Sequence, residues 1–283
     1  MRAKSLAGFA ALLVALTSVG SCGGGGGEKE AATPAGEAAA PVGEPAGRPA
    51  TTSLPGTGSG GYIQGSIRLE GTPPATTPLN MGADPYCKAQ HAAAPASESL
   101  VVGAGGALRH VFVYVKAGLP AGQAYAAPSE PVVLDQVGCQ YRPHVFGIMV
   151  GQPLRIQNSD GTLHNVHSLS RNTRAFNVGL PDKGQHVMRS FSAEEIMVRI
   201  KCDVHPWMEC WAGVLPHPFF AVSGDGGAFA IEDVPPGTYT LEAWHEKLGA
   251  QTQSVTVETG RPVTVDFAFQ AAALGDTNTE GRP

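Results

Sequence analysis

A short segment around residue 202 brings together three kinds of metal-binding side chain. Cys202, His205 and Met208 supply a thiol, an imidazole and a thioether within seven residues. Thiolate and thioether are soft ligands that select copper, and two His with one Cys and a weak axial Met form the blue-copper electron-transfer arrangement. One further histidine is needed, and His164 is the candidate. The residue types therefore predict a mononuclear copper site.

The order of these residues along the chain indicates how a fold could bring them together. His164 follows one predicted strand and starts another, whereas Cys202 ends a later strand and His205 and Met208 lie on the loop after it. Two loops at the same end of a β-sandwich can place such side chains next to one another. Pro206 stiffens the second loop. We expect a compact site between two loops.

The cysteines allow other arrangements. Besides Cys22, the chain has Cys87, Cys139, Cys202 and Cys210. In an oxidising compartment two disulfides could use all four of them. If Cys202 binds copper, the others form one pair and a leftover thiol, or one of them joins the metal site as an extra ligand. A disulfide between Cys139 and Cys202 would abolish the copper site, so both outcomes stay open. Zinc is less apt, because it is held by Cys, His and carboxylate ligands rather than by Met.

Composition favours short strands and excludes several functional classes. The 283 residues include 37 Gly and 23 Pro, and short apolar runs separated by Gly, Asn, Asp or Pro recur from residue 131 onward. This spacing is typical of antiparallel β-sandwiches. The net charge is -5 and the basic residues are scattered, so we expect no nucleic-acid partner. No hydrolase or nucleotide-binding motif is present, and we expect an electron carrier rather than an enzyme.

The amino-terminal region has the features of an export signal and a tether. Residues 1–22 combine a basic start, an apolar stretch and small residues before a cysteine. Val19-Gly20-Ser21-Cys22 resembles a bacterial lipoprotein box, which implies that Cys22 carries lipid and anchors the chain to a membrane. Residues 23–60 contain almost no large apolar side chain and should form a disordered tether. We expect an envelope protein on the periplasmic or cell-surface side, with a flexible tail at 271–283.

Two stretches carry a resemblance to cupredoxins of the plastocyanin and amicyanin type. Cys202-x-x-His205-Pro206-Trp207-Met208 resembles their ligand loop, and the stretch from Tyr141 to Val166 is similar to the segment that delivers their first histidine. The resemblance implies a cupredoxin-like Greek-key sandwich over residues 131–215. It also implies one type 1 copper ion, with three equatorial ligands and one axial one: His164, Cys202, His205 and Met208.

The same resemblance implies roles for three further residues. Asn165 would hydrogen-bond near the thiolate loop and fix its geometry. An electron would pass through the exposed edge of His205, with Pro206 and Trp207 beside it as an apolar docking patch for a redox protein partner. Trp207 in the core is the alternative, because aromatic residues also dominate interiors.

A second resemblance covers the other strands. The stretch from Gly224 to Leu241 resembles the carboxypeptidase regulatory-like module, a transthyretin-like β-sandwich, and Gly61–Gly71 resembles its opening strand. This implies a split sandwich, residues 61–130 plus 216–270, with the cupredoxin-like unit inserted in it. Two domains in series is the alternative. The predicted fold is all-β in either case.

These expectations lead to three hypotheses about function. The first is an anchored copper protein that carries electrons, with the regulatory-like sandwich as scaffold or docking module. The second is a module that binds carbohydrate or another envelope component, with a structural or lost copper unit. The third is copper delivery or storage through the same ligands.

Overall fold

The computed structural model describes residues 60–274 of the chain. The predicted signal, Cys22, nearly all of the tether and most of the tail lie outside these residues. Within them the fold is built almost entirely of strands, which confirms the predicted all-β class, and no helix has the length and apolar character needed to cross a membrane.

The described part of the chain contains seventeen strands, one α-helix and two short 3-10 helices. In chain order they are β1 (Gly61–Glu70), α1 (Pro85–Ala89), a 3-10 turn (Ala104–Gly106), β2 (Phe112–Ala117), β3 (Val132–Val137), β4 (Gln140–Arg142), β5 (Val145–Met149), β6 (Leu154–Asn158), β7 (His164–Ser168), β8 (Asn177–Leu180), β9 (His186–Arg189), β10 (Glu195–Lys201), β11 (Glu209–Leu215), β12 (Phe220–Val222), β13 (Ala228–Val234), β14 (Gly237–His245), β15 (Gly249–Val257), β16 (Pro262–Thr264), β17 (Phe267–Gln270) and a 3-10 turn (Ala271–Leu274).

One sandwich is assembled from strands at both ends of this region, and we call it the split sandwich. In its first sheet β1 pairs with β13, β16 and β17, and its second sheet has the order β12-β2-β14-β15. β1 alternates buried Ile63, Ile67 and Leu69 with exposed side chains, the period of a strand with one face in a core. The opening strands β1 and β2 therefore find their partners in strands that follow residue 219.

The other sandwich is formed by β3 to β11, and we call it the inserted sandwich. Its sheets have the orders β5-β11-β10-β7-β8 and β4-β3-β6-β9. The chain crosses repeatedly from one sheet to the other, and a core of buried side chains that includes Leu134, Ile156 and Ile200 fills the space between them. Both insertion points lie in the chain between β2 and β12, which are adjacent strands of the split sandwich.

The two sandwiches meet through aromatic side chains of β2 and β12. Phe112 is fully buried and lies against Gly147 of β5 and Gly213 of β11. A Cβ atom on Gly213 would stand 2.3 Å from Phe112 Cζ, and one on Gly147 only 2.2 Å from a ring carbon of Phe220. The two glycines thus permit an approach that any side chain would prevent.

One segment departs from the predicted domain limits. Residues 79–91, which we call the cap, fall within the range 61–130 predicted for the regulatory-like sandwich. Instead they contain α1, and Met81 and Cys87 are buried in the core of the inserted sandwich. The periodicity of short strands carries no information on such a segment, because it has no regular apolar pattern of its own.

Candidate metal centre

The pairing of two strands brings the predicted ligands to one end of the inserted sandwich. His164 is the first residue of β7, and Cys202 directly follows the last residue of β10. β7 and β10 are antiparallel, with His167 opposite Lys201. The start of one strand therefore lies beside the end of the other, which is where the two loops were expected to meet.

The loop from 202 to 208 is closed by its own hydrogen bonds. The amide of Cys202 donates to the carbonyl oxygen of Met208 at 3.0 Å, and the amide of Met208 donates to that of His205 at 2.9 Å. The His205 amide also points at the Cys202 sulfur, at 3.3 Å. These bonds fold the loop into a tight turn that presents the sulfur and the imidazole to the same side.

The three predicted equatorial ligands face one another. His164 Nδ1 lies 2.9 Å from His205 Nδ1, and Cys202 Sγ lies 3.9 Å from His205 Nδ1. The ligand atoms of all three residues lie within 4.8 Å of one another, and all three side chains are buried. One thiol and two convergent imidazole nitrogens are a donor set that suits copper, so the residues present fit the ion that the sequence predicts.

The outer nitrogen of the first imidazole is held by a carboxylate. His164 Nε2 lies 2.9 Å from Asp160 Oδ2, and Asp160 accepts the amides of Gly138 and Cys139 at 2.8 and 2.7 Å. Asn158 orders the intervening loop by accepting the Asp160 amide at 2.9 Å. A carboxylate on one ring nitrogen fixes the orientation of the imidazole and leaves the other nitrogen to bind a metal.

The second imidazole departs from expectation. The prediction that His205 has an exposed edge is wrong, because this residue is only 2% exposed. Its Nε2 lies 2.9 Å from Asp84 Oδ2 and 3.6 Å from Cys87 Sγ, both in the cap. Solvent reaches the carboxylate rather than the ring, since the Asp84 side chain is 22% exposed.

Hydrogen bonds set the protonation behaviour of the centre. Burial would raise the pKa of Cys202, but the hydrogen bonds with His164 and with backbone amides outweigh it and lower the pKa. Burial alone would lower the pKa of His164, because it disfavours the charged imidazolium, but the hydrogen bonds with Asp160 and Cys202 raise this pKa to about 9. A thiol with a lowered pKa is poised to become the thiolate that binds metals.

The cysteines divide into one pair and two thiols among the described residues. Cys87 and Cys139 form a disulfide, so the alternative bridge from Cys139 to Cys202 is wrong, and Cys202 carries a free thiol. Cys210 is also free, but it is fully buried on β11. Burial raises its pKa well above the usual value, which makes this thiol inert. Neither a second disulfide nor a role of Cys210 as an extra ligand has support here.

The remaining predicted residues surround the ligands. Met208 is buried in the same core as Cys202. Asn165 Oδ1 accepts the Asp203 amide at 2.7 Å and lies 3.3 Å from Cys202 Sγ, the position near the thiolate loop that the resemblance implied. Pro206 is exposed. Trp207 is half-buried against His205, with ring centroids 5.0 Å apart, and its Nε1 donates to the Cys139 carbonyl oxygen at 3.0 Å.

Sequence reasoning missed three carboxylates that organise the centre. Asp160 and Asp84 hold the two imidazoles, and Asp203 accepts hydrogen bonds from Asn165 and Asn177 at 3.1 and 2.8 Å. Asp160 could have been suspected, because it lies four residues before His164 in a loop that must turn back. Asp84 carries no such signal, since 121 residues separate it from His205.

Comparison with known proteins supports the second resemblance over part of the chain. A family model described as the carboxypeptidase regulatory-like domain matches residues 217–270, which confirms that resemblance for the later strands of the split sandwich. Comparison of the sequence with curated proteins finds no match.

Several solved structures match the chain over about a third of its length. A copper-containing nitrite reductase from Thermus scotoductus is 21% identical, with a TM-score of 0.28, over 35% of this chain and 25% of that chain. A purple cupredoxin from Nitrosopumilus maritimus is 23% identical, with a TM-score of 0.25, over 29% of this chain and 97% of its own. An oxidised mutant of amicyanin is 18% identical, with a TM-score of 0.28, over 36% of this chain and 97% of its own.

Proposed function

We propose that this chain is a type 1 copper protein that carries single electrons to or from a redox protein partner and catalyses no reaction of its own. His164, Cys202 and His205 would hold the ion, with Met208 as the axial ligand. The bound copper would supply one-electron chemistry by alternating between its two oxidation states. We extend the proposal to an envelope location with a lipid anchor on Cys22, which rests on the sequence motif alone.

One observation carries the proposal. The imidazole Nδ1 atoms of His164 and His205 face each other across 2.9 Å beside a thiol that takes part in no disulfide. Each outer ring nitrogen is bonded to a carboxylate, so the two inward nitrogens are oriented before any metal binds. A pre-oriented ligand set needs little rearrangement, which favours electron transfer.

Burial supports a carrier over a protein that delivers copper. All three equatorial side chains are buried, and the cap covers His205. An ion held behind such a cover is retained, and electron transfer needs retention, whereas delivery needs rapid ion loss. The split sandwich packs against the inserted one through Phe112, which is consistent with a scaffold.

Two matched cysteine variants test the proposal. Addition of Cu(II) to the purified full chain should produce intense visible absorption from thiolate-to-copper charge transfer, bleached reversibly by a reductant. Cys202→Ala should abolish this absorption, whereas Cys210→Ala, which removes the other free buried thiol, should keep it. A colourless copper-loaded chain, or equal colour in both variants, would refute the copper centre. Reversible voltammetry without ion loss then separates electron carriage from delivery.

A further inference from the structure

The cap covers the second imidazole with a side chain from a distant part of the sequence. Asp84 is the N-cap of α1 and accepts the amides of Tyr86 and Cys87 at 2.8 and 3.3 Å through Oδ1. Its other oxygen, Oδ2, reaches His205 Nε2 at 2.9 Å. The helix start therefore fixes the carboxylate, and the carboxylate faces the ring.

Three attachments bind the cap to loops that also serve the first imidazole. The Cys87–Cys139 disulfide joins the cap to the loop between β3 and β4, and His91 Nε2 lies 2.8 Å from the Gly138 carbonyl oxygen. The amide of Gly161 donates to the Tyr86 hydroxyl at 2.7 Å. The amides of Gly138 and Cys139 in turn hold Asp160, the carboxylate behind His164. The loop at Gly138 and Cys139 thus helps to fix both carboxylates, Asp160 behind His164 and Asp84 behind His205.

The two imidazoles consequently have equivalent surroundings. Each has Nδ1 directed inward and Nε2 bonded to one carboxylate at 2.9 Å. Asp160 lies four residues from its histidine in the same loop. Asp84 has no short connection to His205, so its position depends on the cap and on the disulfide that holds the cap.

We infer that Asp84 is a positioning residue for His205, and that the disulfide-locked cap controls how fast the centre exchanges its metal and admits reagents to Cys202. This inference rests on the proposed function and gives the cap, which precedes the inserted sandwich in the sequence, a role in the metal centre. Loss of the carboxylate frees the imidazole to rotate. Loss of the disulfide lets the whole cap lift away.

The first test measures copper retention. Asp84→Asn keeps the size of the side chain and an oxygen for the α1 amides but removes the negative charge that faces the ring. Loss of a carboxylate that orients a metal-binding histidine typically costs 10- to 100-fold in metal affinity. We therefore expect copper to pass to an excess of chelator at least about 10-fold faster than in the unaltered chain, with a shifted charge-transfer band. Asp225→Asn is the control, because this carboxylate is exposed and belongs to the split sandwich.

The second test needs no metal. In the metal-free full chain, the alkylation rate of Cys202 by iodoacetamide is followed by mass spectrometry of its peptide. Joint replacement Cys87→Ala and Cys139→Ala should raise this rate at least 10-fold, while the peptide with Cys210 stays protected. If the double variant fails to fold, His91→Ala supplies the test, since it loosens the far end of the cap and leaves the disulfide intact. A smaller increase in Cys202 alkylation is then expected.

The outcomes separate this inference from the proposed function. A copper-loaded chain that shows the charge-transfer band but loses metal at the same rate with Asp84→Asn as with Asp225→Asn overturns the role of Asp84. Unchanged alkylation in the cap variants overturns the role of the cap. A chain without the band refutes the copper centre, and the alkylation experiment still decides whether the cap protects Cys202.

Discussion

The acid stability of this protein should depend strongly on one buried histidine of the split sandwich. His245 ends β14 and is 1% exposed. Its Nδ1 accepts the Lys247 amide at 3.2 Å, and its Nε2 has no partner among the described residues. Burial, with smaller contributions from the charges of His144 and Lys247, lowers its pKa to about 4. The folded protein therefore keeps this ring neutral at pH values where the unfolded chain protonates it.

The sign and size of the effect follow from that difference. An unfolded histidine has a pKa of about 6.5. Because the folded pKa of His245 is depressed, its contribution to stability is complete above pH 6.5 and is lost as the pH falls towards 4. A pKa difference of about 2.5, at 1.36 kcal/mol per pKa unit, corresponds to about 3 kcal/mol. His164, whose pKa is raised to about 9, changes its contribution only above pH 6.5 and does not affect this window.

Denaturant unfolding of the metal-free chain between pH 6.5 and 4 measures the effect. The unaltered chain should lose stability over this range, with His110 and His217 adding to the loss because burial also lowers their pKa values, to about 2 and about 4. His245→Gln removes one titrating group, so the variant should lose about 3 kcal/mol less than the unaltered chain. His186→Gln, at an exposed position, is the control. Equal losses in all three proteins would refute the reasoning.

Three further variants test the packing and the site. A methyl group in Gly213→Ala meets the Phe ring of β2 at 2.3 Å and should cost about 1–3 kcal/mol in denaturant unfolding, whereas Gly226→Ala, with open space around it, should cost less than 1. Asn165→Ala leaves the Asp203 amide without its acceptor and should cost about 1–3 kcal/mol; an unchanged unfolding midpoint would contradict this. Met208→Leu conserves volume, so the fold should persist while the copper reduction potential rises, because a thioether no longer stabilises Cu(II); an unchanged potential would exclude Met208 as ligand.

The sequence was informative about the parts of the site that are local. The ligand loop from 202 to 208 holds three of the four predicted ligands, and its turn follows from short-range hydrogen bonds among those residues. Alternating apolar residues located β1 because burial on one face of a sheet has a period of two. His164 was placed correctly beside the loop because antiparallel pairing brings strand ends together.

The cap could not be predicted because its position results from long-range contacts. Residues 79–91 are rich in polar and small residues, and only Met81 and Cys87 are buried. The pairing of Cys87 spans 52 residues, and several cysteine pairings are compatible with any such spacing. Exposure of His205 was predicted from the ligand loop and its family resemblance alone, and neither contains information about a segment that lies before the inserted sandwich.

The disulfide also explains how the Cys202 thiol can stay free beside three other cysteines in the same core. Cys139 Sγ lies within 4.8 Å of His164 and Asp160 ligand atoms, and Cys87 Sγ lies equally close to His205 and Asp84. As free thiols, both would compete for the metal or form a mixed disulfide with Cys202. Their bond to each other removes both reactions at once, and burial makes Cys210 inert. The cap therefore has two effects: it covers His205, and through its disulfide it leaves the Cys202 thiol free to bind a metal.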